Sequence, residues 1–398
     1  MSMNAPAKRQ FSAIANEMKP SAIRMLLKVA NQPDIISFGG GLPNPESFPL
    51  DDIRRIFEEQ LAKNGRKMLQ YGATEGLDSL NVALSKRLKD KEGIKSDPND
   101  IIQTAGSQEA LYMLGKIFAN PGDYVITEAP TYVGTISALR ASGIRMLGIE
   151  MDHYGMKMDI LRETLKKYPN PRFIYVIPNY QNPSGITMSL ERRKELLEIA
   201  NEKGITILED DPYGALRFAG AHVPSLKSLD SEVVYLGTFS KVLSPGIRLG
   251  YVVAPHDVIE KLNIAKQAVD LATSSVSEYI AEAYVSGGYM DKQIPKIIDL
   301  YRQKRDLMID SFENYFPKDV EFTRPNGGMF IWVTRRGADT DKMFEEAVRQ
   351  KVLYVVGSAF YPDGDNHESM RLNFTFSSNE NIVEGVKRLG KLFEVTSK

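Results

Sequence analysis

Short apolar segments alternate with longer segments of helical periodicity between about residues 100 and 255. The short segments are rich in valine, isoleucine and tyrosine, which is typical of β-strands. They are YVIT (124–127), RFIYVI (172–177), ITILE (205–209), VVYLG (233–237) and LGYVVA (249–254). Strands that are apolar on both faces occur in sheets that helices cover, so the pattern predicts a buried, largely parallel sheet.

The clearest helix lies between the second and third of these strands, in SLERRKELLEIANEKG. Ser189 is a suitable N-cap, and Gly204 is a typical C-terminal stop. Leu196, Leu197 and Ala200 fall on one face of the helix. The segment therefore predicts a strand, helix, strand unit of an α/β fold.

The pattern changes after about residue 290. A long helical segment, IPKIIDLYRQKRDLMIDSFENYF, is followed by GGMFIWV, a helix near 340–350 and MRLNFTF, which indicates a smaller α+β domain. We expect three parts along the chain: an N-terminal arm (1–37), a large domain (50–290) and a small domain (38–49 with 291–398).

Composition excludes several kinds of site. Lysine and arginine total 50 against 51 aspartate and glutamate, without a long run of like charge, so no nucleic-acid partner is expected. The absence of cysteine removes disulfides, thiolate nucleophiles and cysteine-ligated zinc, and four scattered histidines give no metal site. No apolar stretch approaches the roughly 20 residues that span a bilayer, and no signal peptide is recognisable. We therefore expect a cytoplasmic protein with no membrane partner.

Lys241 has the most specific chemical surroundings in the chain, in GTFSKVLSPGIRLGY. An amine near a second cation in a partly apolar pocket loses affinity for its proton, and the neutral amine can attack an aldehyde carbon. Thr238, Ser240 and Arg248 offer hydrogen-bond donors for a phosphate on the same molecule. Together these residues suggest a phosphorylated aldehyde such as pyridoxal phosphate. The alternative is a solvated lysine and arginine on a loop.

Other polar residues follow strands at the same predicted edge, where open α/β sheets bind ligands. Asp210 follows ITILE and could keep a pyridine nitrogen protonated, which makes the ring of pyridoxal phosphate an electron sink. Tyr213 and Asn182 could hydrogen-bond the ring hydroxyl, and Tyr132 could stack on the ring. The alternative for Asp210, Tyr213 and Asn182 is that DDPYG and NPSG are ordinary turns, and the alternative for Tyr132 is a tyrosine of the core.

The segment TAGSQEALYMLGKIF predicts a glycine turn that leads into an amphipathic helix. Ser107 and Gln108 lie in its first turn, where free backbone N–H groups attract a phosphate. The alternative is a helix that Ser107 simply caps.

The ordered motifs GSQ, PTY, QNPSG, EDDPY, TFSK with SPGIRLGY, and MRLNF resemble the fold-type I pyridoxal-phosphate aminotransferases of class I/II. The resemblance covers nearly the whole chain, and six motifs in the family's order are far more specific than any one of them. KPSAIRMLLK, ISFGGGLPNPESFP and YGATEG are similar to the branch that contains 2-aminoadipate aminotransferases and kynurenine aminotransferase II. The implied fold is α/β, with a large domain on a mostly parallel sheet and a smaller α+β domain.

The resemblance implies a role for each matching residue. Lys241 would be the catalytic Schiff-base lysine, Asp210 the partner of the pyridinium nitrogen, and Arg371 the anchor of the substrate α-carboxylate. The other roles are Asn182 and Tyr213 at the ring oxygen, Tyr132 on the ring, Ser107, Gln108, Thr238, Ser240 and Arg248 at the phosphate, Tyr71 at the phosphate of the neighbouring subunit, and Asn182, Arg24 and Gly41 at the substrate. The position of Tyr71 implies a homodimer.

The implied activity moves an amino group between an L-amino acid and a 2-oxo acid, which we expect to be 2-oxoglutarate. Arg24 would meet a distal carboxylate, as in 2-aminoadipate or glutamate, and would swing out to admit aromatic or long apolar side chains.

Two alternatives to this activity stay open. One is a lyase or decarboxylase with the same cofactor. The other is a ligand-sensing regulator, although the short arm leaves no room for a DNA-binding module; a nicotinamide dehydrogenase would need a GxGxxG motif that is absent.

Overall fold

The computed structural model describes residues 9–17 and 34–395. In chain order its strands are β1 (Ile36–Ser37), β2 (Ile101–Thr104), β3 (Tyr124–Ala129), β4 (Arg145–Asp152), β5 (Gly155–Met156), β6 (Phe173–Val176), β7 (Thr206–Asp210), β8 (Val234–Thr238), β9 (Gly250–Val253), β10 (Glu321–Phe322), β11 (Phe330–Thr334), β12 (Val352–Leu353), β13 (Val355–Val356) and β14 (Ser369–Asn373). Its α-helices are α1 (Ala13–Glu17), α2 (Leu50–Met68), α3 (Asp78–Glu92), α4 (Ser107–Phe118), α5 (Val133–Ala141), α6 (Met158–Lys167), α7 (Leu190–Lys203), α8 (Leu226–Leu229), α9 (His256–Val269), α10 (Ser275–Ser286), α11 (Tyr289–Tyr315), α12 (Thr340–Arg349) and α13 (Asn379–Val395).

An eight-stranded sheet in the order β2-β9-β8-β7-β6-β3-β4-β5 forms the centre of the fold. The five strands from β8 to β4 pair in parallel. β9 runs antiparallel to both of its neighbours, and β5 turns back on β4. The prediction of a buried, largely parallel sheet is confirmed, and all five predicted segments contain strands. β2, β4 and β5 were not among them.

Helix α7 has the caps that its sequence predicts. The Ser189 hydroxyl accepts a 3.2 Å hydrogen bond from the backbone N–H of Arg192, which satisfies one free donor of the first turn. Gly204 takes the left-handed conformation, with φ of 63°, that ends the helix. The predicted apolar face is buried against the sheet between β6 and β7.

The C-terminal part forms a second sheet, with the antiparallel order β10-β11-β14-β13. β1 pairs in parallel with β12 and so attaches the start of the body to this region. Helix α11 packs along α13. It continues without a break through residues 290 and 291, between which the boundary of the large and small domains was predicted. The smaller α+β region is present, whereas the exact domain boundaries stay a prediction.

The parallel strands bring the polar motifs together. β6, β7 and β8 are adjacent and point the same way, so the residues after each carboxyl end lie at one edge of the sheet. Asp210 ends β7, Thr238 ends β8, and the loop with Asn182 follows β6. Within the two described ranges, no helix combines the length and apolarity needed to cross a membrane.

Candidate active site

Residues beyond the strand ends line one cavity of about 260 Å³. Its lining residues are Gly41, Leu42, Ser107, Gln108, Tyr132, Ile177, Asn182, Asp210, Pro212, Tyr213, Thr238, Ser240, Lys241, Pro245, Arg248, Phe330 and Arg371. All of the predicted site residues except Tyr71 and Arg24 are among them. Tyr71 lies in the loop after α2 and is 85% exposed, and Arg24 lies outside the described residues.

Lys241 lies in the turn after β8, where its amine donates a 2.9 Å hydrogen bond to the carbonyl oxygen of Gly41. Burial, followed by the positive charges of Arg371 and Arg248, lowers the pKa of the amine from 10.5 to about 8. About a tenth of the amine is therefore neutral at pH 7, far more than at the ordinary pKa of a lysine. The neutral form is the one that attacks a carbonyl carbon.

Asp210 is buried at the end of β7. Its Oδ2 accepts a 2.7 Å hydrogen bond from the Tyr175 hydroxyl, while Oδ1 has no hydrogen-bond partner within the described structure. Burial raises the pKa of Asp210 to about 7; the Tyr175 hydrogen bond opposes this shift and the charge of Asp211 adds to it. A buried carboxylate with one free oxygen is suited to a cationic N–H donor.

Arg371, from β14, is fully buried and lines the same cavity. Its Nη1 donates to Oδ1 of Asn182 at 2.8 Å, and its Nη2 donates to the carbonyl oxygen of Gly39 at 2.7 Å. The guanidinium lies 4.2 Å from the centroid of the Phe330 ring. Nε has no partner in the described part of the chain, and burial lowers the pKa to about 10, which leaves the group charged at neutral pH.

One end of the cavity is built from hydroxyl groups and a guanidinium. The hydroxyl of Thr238 lies 3.1 Å from that of Ser240 and also accepts the backbone N–H of Ser240. Arg248 donates from Nη2 to the carbonyl oxygen of Ala105, just before α4. Ser107 begins α4, and its buried hydroxyl has no partner among the described residues. Free helix N–H groups, hydroxyls and a guanidinium together suit a phosphate.

Tyr132 lies just before α5, next to Gln108. The side-chain amide of Gln108 donates a 2.8 Å hydrogen bond to the carbonyl oxygen of Gly134. A Cβ atom on Gly134 would come within 2.3 Å of the Tyr132 ring, so this glycine allows the ring to lie close to the backbone. The ring is therefore held at the wall of the cavity.

The sequence prediction did not include the apolar lining of the cavity or the residue that bonds Asp210. Phe330 packs on Arg371, although GGMFIWV gave no sign that it faces a cavity. Tyr175 lies inside the apolar run RFIYVI, and its only signal was a hydroxyl in a buried strand, which must find a partner.

The comparisons with known proteins agree with this geometry. Residues 33–389 match the model of the family described as Aminotransferase class I and II. The chain belongs to the class I and II aminotransferases. This aminotransferase is 45% identical to aromatic-amino-acid aminotransferase 1 of Thermococcus litoralis, over 96% of this chain and 94% of the relative.

Two solved structures extend the comparison. The kynurenine aminotransferase of Pyrococcus horikoshii is 44% identical, with a TM-score of 0.94 over 98% of each chain. The α-aminoadipate aminotransferase LysN of Thermus thermophilus is 36% identical, with a TM-score of 0.90 over 97% of this chain and 98% of that chain. The latter was solved with N-(5'-phosphopyridoxyl)-L-leucine, a pyridoxal phosphate derivative.

Aminotransferases of this class use pyridoxal 5'-phosphate, and the cavity has the chemistry to hold it. The unpartnered oxygen of Asp210 suits a protonated ring nitrogen. The unpartnered hydroxyl of Ser107 lies at the end of the cavity that suits a phosphate. Gly106 precedes α4 with φ of 82°, and a Cβ atom there would lie 2.6 Å from Nη2 of Arg248. The glycine thus leaves room for Arg248 to lie beside the start of the helix.

Gly106→Ala is expected to weaken pyridoxal phosphate binding by at least about tenfold, because it displaces a charge-assisted donor. Pyridoxal, which has no phosphate, should lose much less affinity. Gly122→Ala is the matched control, since Gly122 also has a positive φ, of 92°, but a Cβ atom there meets nothing within 4 Å. Both affinities can be measured by fluorescence titration of the cofactor-free protein. An equal loss in the two variants would contradict this assignment of the phosphate end.

Proposed function

We propose that this aminotransferase transfers the amino group of acidic, aromatic and long apolar L-amino acids to 2-oxoglutarate. The proposal rests above all on one observation: the amine of Lys241, the carboxylate of Asp210 and the guanidinium of Arg371 line the same cavity. These are the base, the ring-nitrogen partner and the carboxylate anchor that the reaction requires.

Residues of the cavity would hold four parts of the cofactor. Its ring nitrogen would be bound by Asp210, its ring oxygen by Asn182 and Tyr213, and the face of its ring by Tyr132. Its phosphate would be bound by Ser107, Gln108, Thr238, Ser240 and Arg248. When bound, pyridoxal phosphate supplies a protonated, electron-withdrawing ring that acidifies the C–H bond next to the amino group. Asp210 would preserve that ring charge, because a neutral ring nitrogen would leave Oδ1 of the buried carboxylate without a donor.

Lys241 would first provide its neutral amine for covalent attachment and then, once displaced by the amino acid, move the α proton. The low pKa of about 8 suits both tasks, because the amine can accept and return a proton near neutral pH. Gly41 accepts a hydrogen bond from this amine and so fixes its direction in the cavity.

Arg371 would bind the α-carboxylate of the amino acid. Its guanidinium is already fixed by Asn182 and by the carbonyl of Gly39, so little side-chain freedom is lost when substrate binds. Burial makes an anion a favourable partner, and a lysine could not provide the same planar pair of donors.

The substrate range follows from the remaining wall of the cavity. Leu42, Ile177 and Phe330 offer apolar surface for aromatic and long apolar side chains. Arg24, outside the described residues, would meet a distal carboxylate. Aromatic amino acids, kynurenine and α-aminoadipate appear in the names of the three similar proteins, which supports this range.

A donor screen with 2-oxoglutarate tests the proposal. Candidate donors are 2-aminoadipate, glutamate, aspartate, kynurenine, phenylalanine and leucine, and we expect turnover of both acidic and aromatic donors. Arg24→Ala should lower kcat/KM for 2-aminoadipate by about 10- to 100-fold, the value of a charge-assisted pair, and leave phenylalanine nearly unchanged. Arg9→Ala, on the same arm, is the matched control.

Two results of this screen would count against the proposal. An unchanged ratio of acidic to aromatic activity in Arg24→Ala would remove the role of Arg24. Release of ammonia or carbon dioxide without any 2-oxo acid would indicate a lyase or decarboxylase instead of a transaminase.

We also propose a homodimer in which Tyr71 reaches the phosphate in the partner's cavity. Tyr71 is absent from the lining of its own cavity. It lies beside exposed Leu69 in a loop whose Gln70 carbonyl accepts a hydrogen bond from Ser275 at the start of α10. Leu271, close in sequence to Ser275, is also exposed. Exposed apolar residues clustered around an aromatic side chain are typical of a subunit interface.

Mixing two inactive variants tests this arrangement. In a hybrid of Tyr71→Ala and Lys241→Ala subunits, one of the two cavities would contain both native residues, so unfolding and refolding the mixture should restore about a quarter of native activity. The measurement is the transamination rate at limiting pyridoxal phosphate. The separately refolded variants are the controls. Absence of recovery in a mixture that forms dimers would contradict a contribution from the partner.

A further inference from the structure

Tyr175 lies in the middle of β6 and is fully buried. It is the register partner of Leu208 on β7, and Asp210 lies two residues beyond Leu208. Side chains two residues apart on a strand share a face, so Tyr175 and Asp210 lie on the same face of the sheet. The Tyr175 hydroxyl donates a 2.7 Å hydrogen bond to Oδ2 of Asp210.

The two carboxylate oxygens of Asp210 therefore have different surroundings. Oδ2 is occupied by the Tyr175 hydroxyl, and Oδ1 has no partner in the described ranges. Asp210 lines the cavity, whereas Tyr175 is absent from the lining. Tyr175 thus fixes the carboxylate from outside the cavity lining, and one oxygen is left as an acceptor for a ligand in the cavity.

We propose that Tyr175 is a positioning residue that orients Asp210 and favours its ionised form, so that Oδ1 can accept the N–H of the cofactor ring. The proposal rests on the role of Asp210 given under the proposed function. It adds a residue that is absent from the cavity lining but orients an acceptor that belongs to it.

The electrostatics explain why such a residue is required. Burial, and to a smaller degree the neighbouring charge of Asp211, raise the pKa of Asp210 to about 7, and the Tyr175 hydrogen bond is the opposing influence. The other titratable groups that interact with this carboxyl are Tyr132 and Tyr213, whose pKa values are themselves raised by burial. Both are neutral near pH 7, so neither adds a charge that would favour or oppose ionisation of the carboxylate.

Without the phenol hydroxyl, Asp210 would bind a proton more tightly. A protonated carboxyl carries a donor of its own, so it would pair less well with a protonated ring nitrogen. The ring would then lose part of its charge and part of its ability to acidify the substrate C–H bond. The effect should appear in kcat, since Arg371 would still bind the substrate carboxylate.

The first test uses the cofactor-free protein. Infrared difference spectra, with Asp210→Asn as the reference that identifies the band, follow protonation of Asp210 as the pH changes. Tyr175→Phe should raise the midpoint by about one pH unit, the usual size of one lost hydrogen bond to a carboxylate. Tyr354→Phe is the matched control. It also removes a buried hydroxyl, which donates to the carbonyl of Thr340 at 2.6 Å, from a residue that lies between β12 and β13 and is absent from the cavity lining.

The second test uses the loaded enzyme. Tyr175→Phe should lower kcat by about tenfold with little change in KM, and should shift the pH at which the absorbance of the bound cofactor changes. Tyr354→Phe should leave the pH dependence as in the wild type.

Fluorotyrosine at position 175 covers the case in which Tyr175→Phe does not fold. It keeps the ring and strengthens the hydroxyl as a donor, so the Asp210 midpoint should move down instead of up. An unchanged midpoint in a folded variant, with either substitution, would overturn the proposal. Because the infrared titration requires no catalysis, a shifted midpoint in a protein that transfers no amino group would disprove the proposed function and leave the role of Tyr175 intact.

Discussion

The chemistry of the cavity depends on the burial of the Lys241 amine beside two cations. Burial alone favours the neutral amine, and the charges of Arg371 and Arg248 act in the same direction. Each of these cations is fixed by backbone or amide oxygens, such as the carbonyls of Gly39 and Ala105. Such contacts satisfy the donors without adding a negative charge, so the positive character of the cavity is retained for anionic ligands.

Asp210 is the acidic group in the lining of the same cavity. It is buried, it receives a neutral donor from Tyr175, and its second oxygen remains for a cationic partner. A carboxylate in this position is stable only when such a partner is bound or when the phenol hydrogen bond supports it. The chain thus combines a lysine whose proton is weakly held with an aspartate whose proton is strongly held, which is the usual signature of a catalytic site.

The sequence predicted the parts of the site that follow from strand ends. Asn182, Asp210 and Lys241 each come just after an apolar run, and parallel strands bring such positions to one edge. The resemblance to aminotransferases then extended the prediction to Arg371 on the distant β14.

Other features depend on packing that no short segment encodes. The hydrogen bond between Arg371 and Asn182 joins residues 189 positions apart, and the contact of Arg371 with Phe330 requires the second sheet to be in place. The antiparallel direction of β9 is equally invisible in its apolar run, because the run has the same pattern in either direction. Tyr175 was missed because a tyrosine in a buried strand is most often a core residue.

The most direct test of this account is the acidity of Lys241 itself. Cofactor-free protein can be labelled for a short time with an amine-reactive reagent at a series of pH values, and modification of Lys241 can be measured by mass spectrometry. The rate should rise with pH about a midpoint near 8, and Arg371→Met should move that midpoint upward because one of the two cations is removed. A midpoint at the ordinary lysine value of 10.5, or one that Arg371→Met leaves unchanged, would contradict the account.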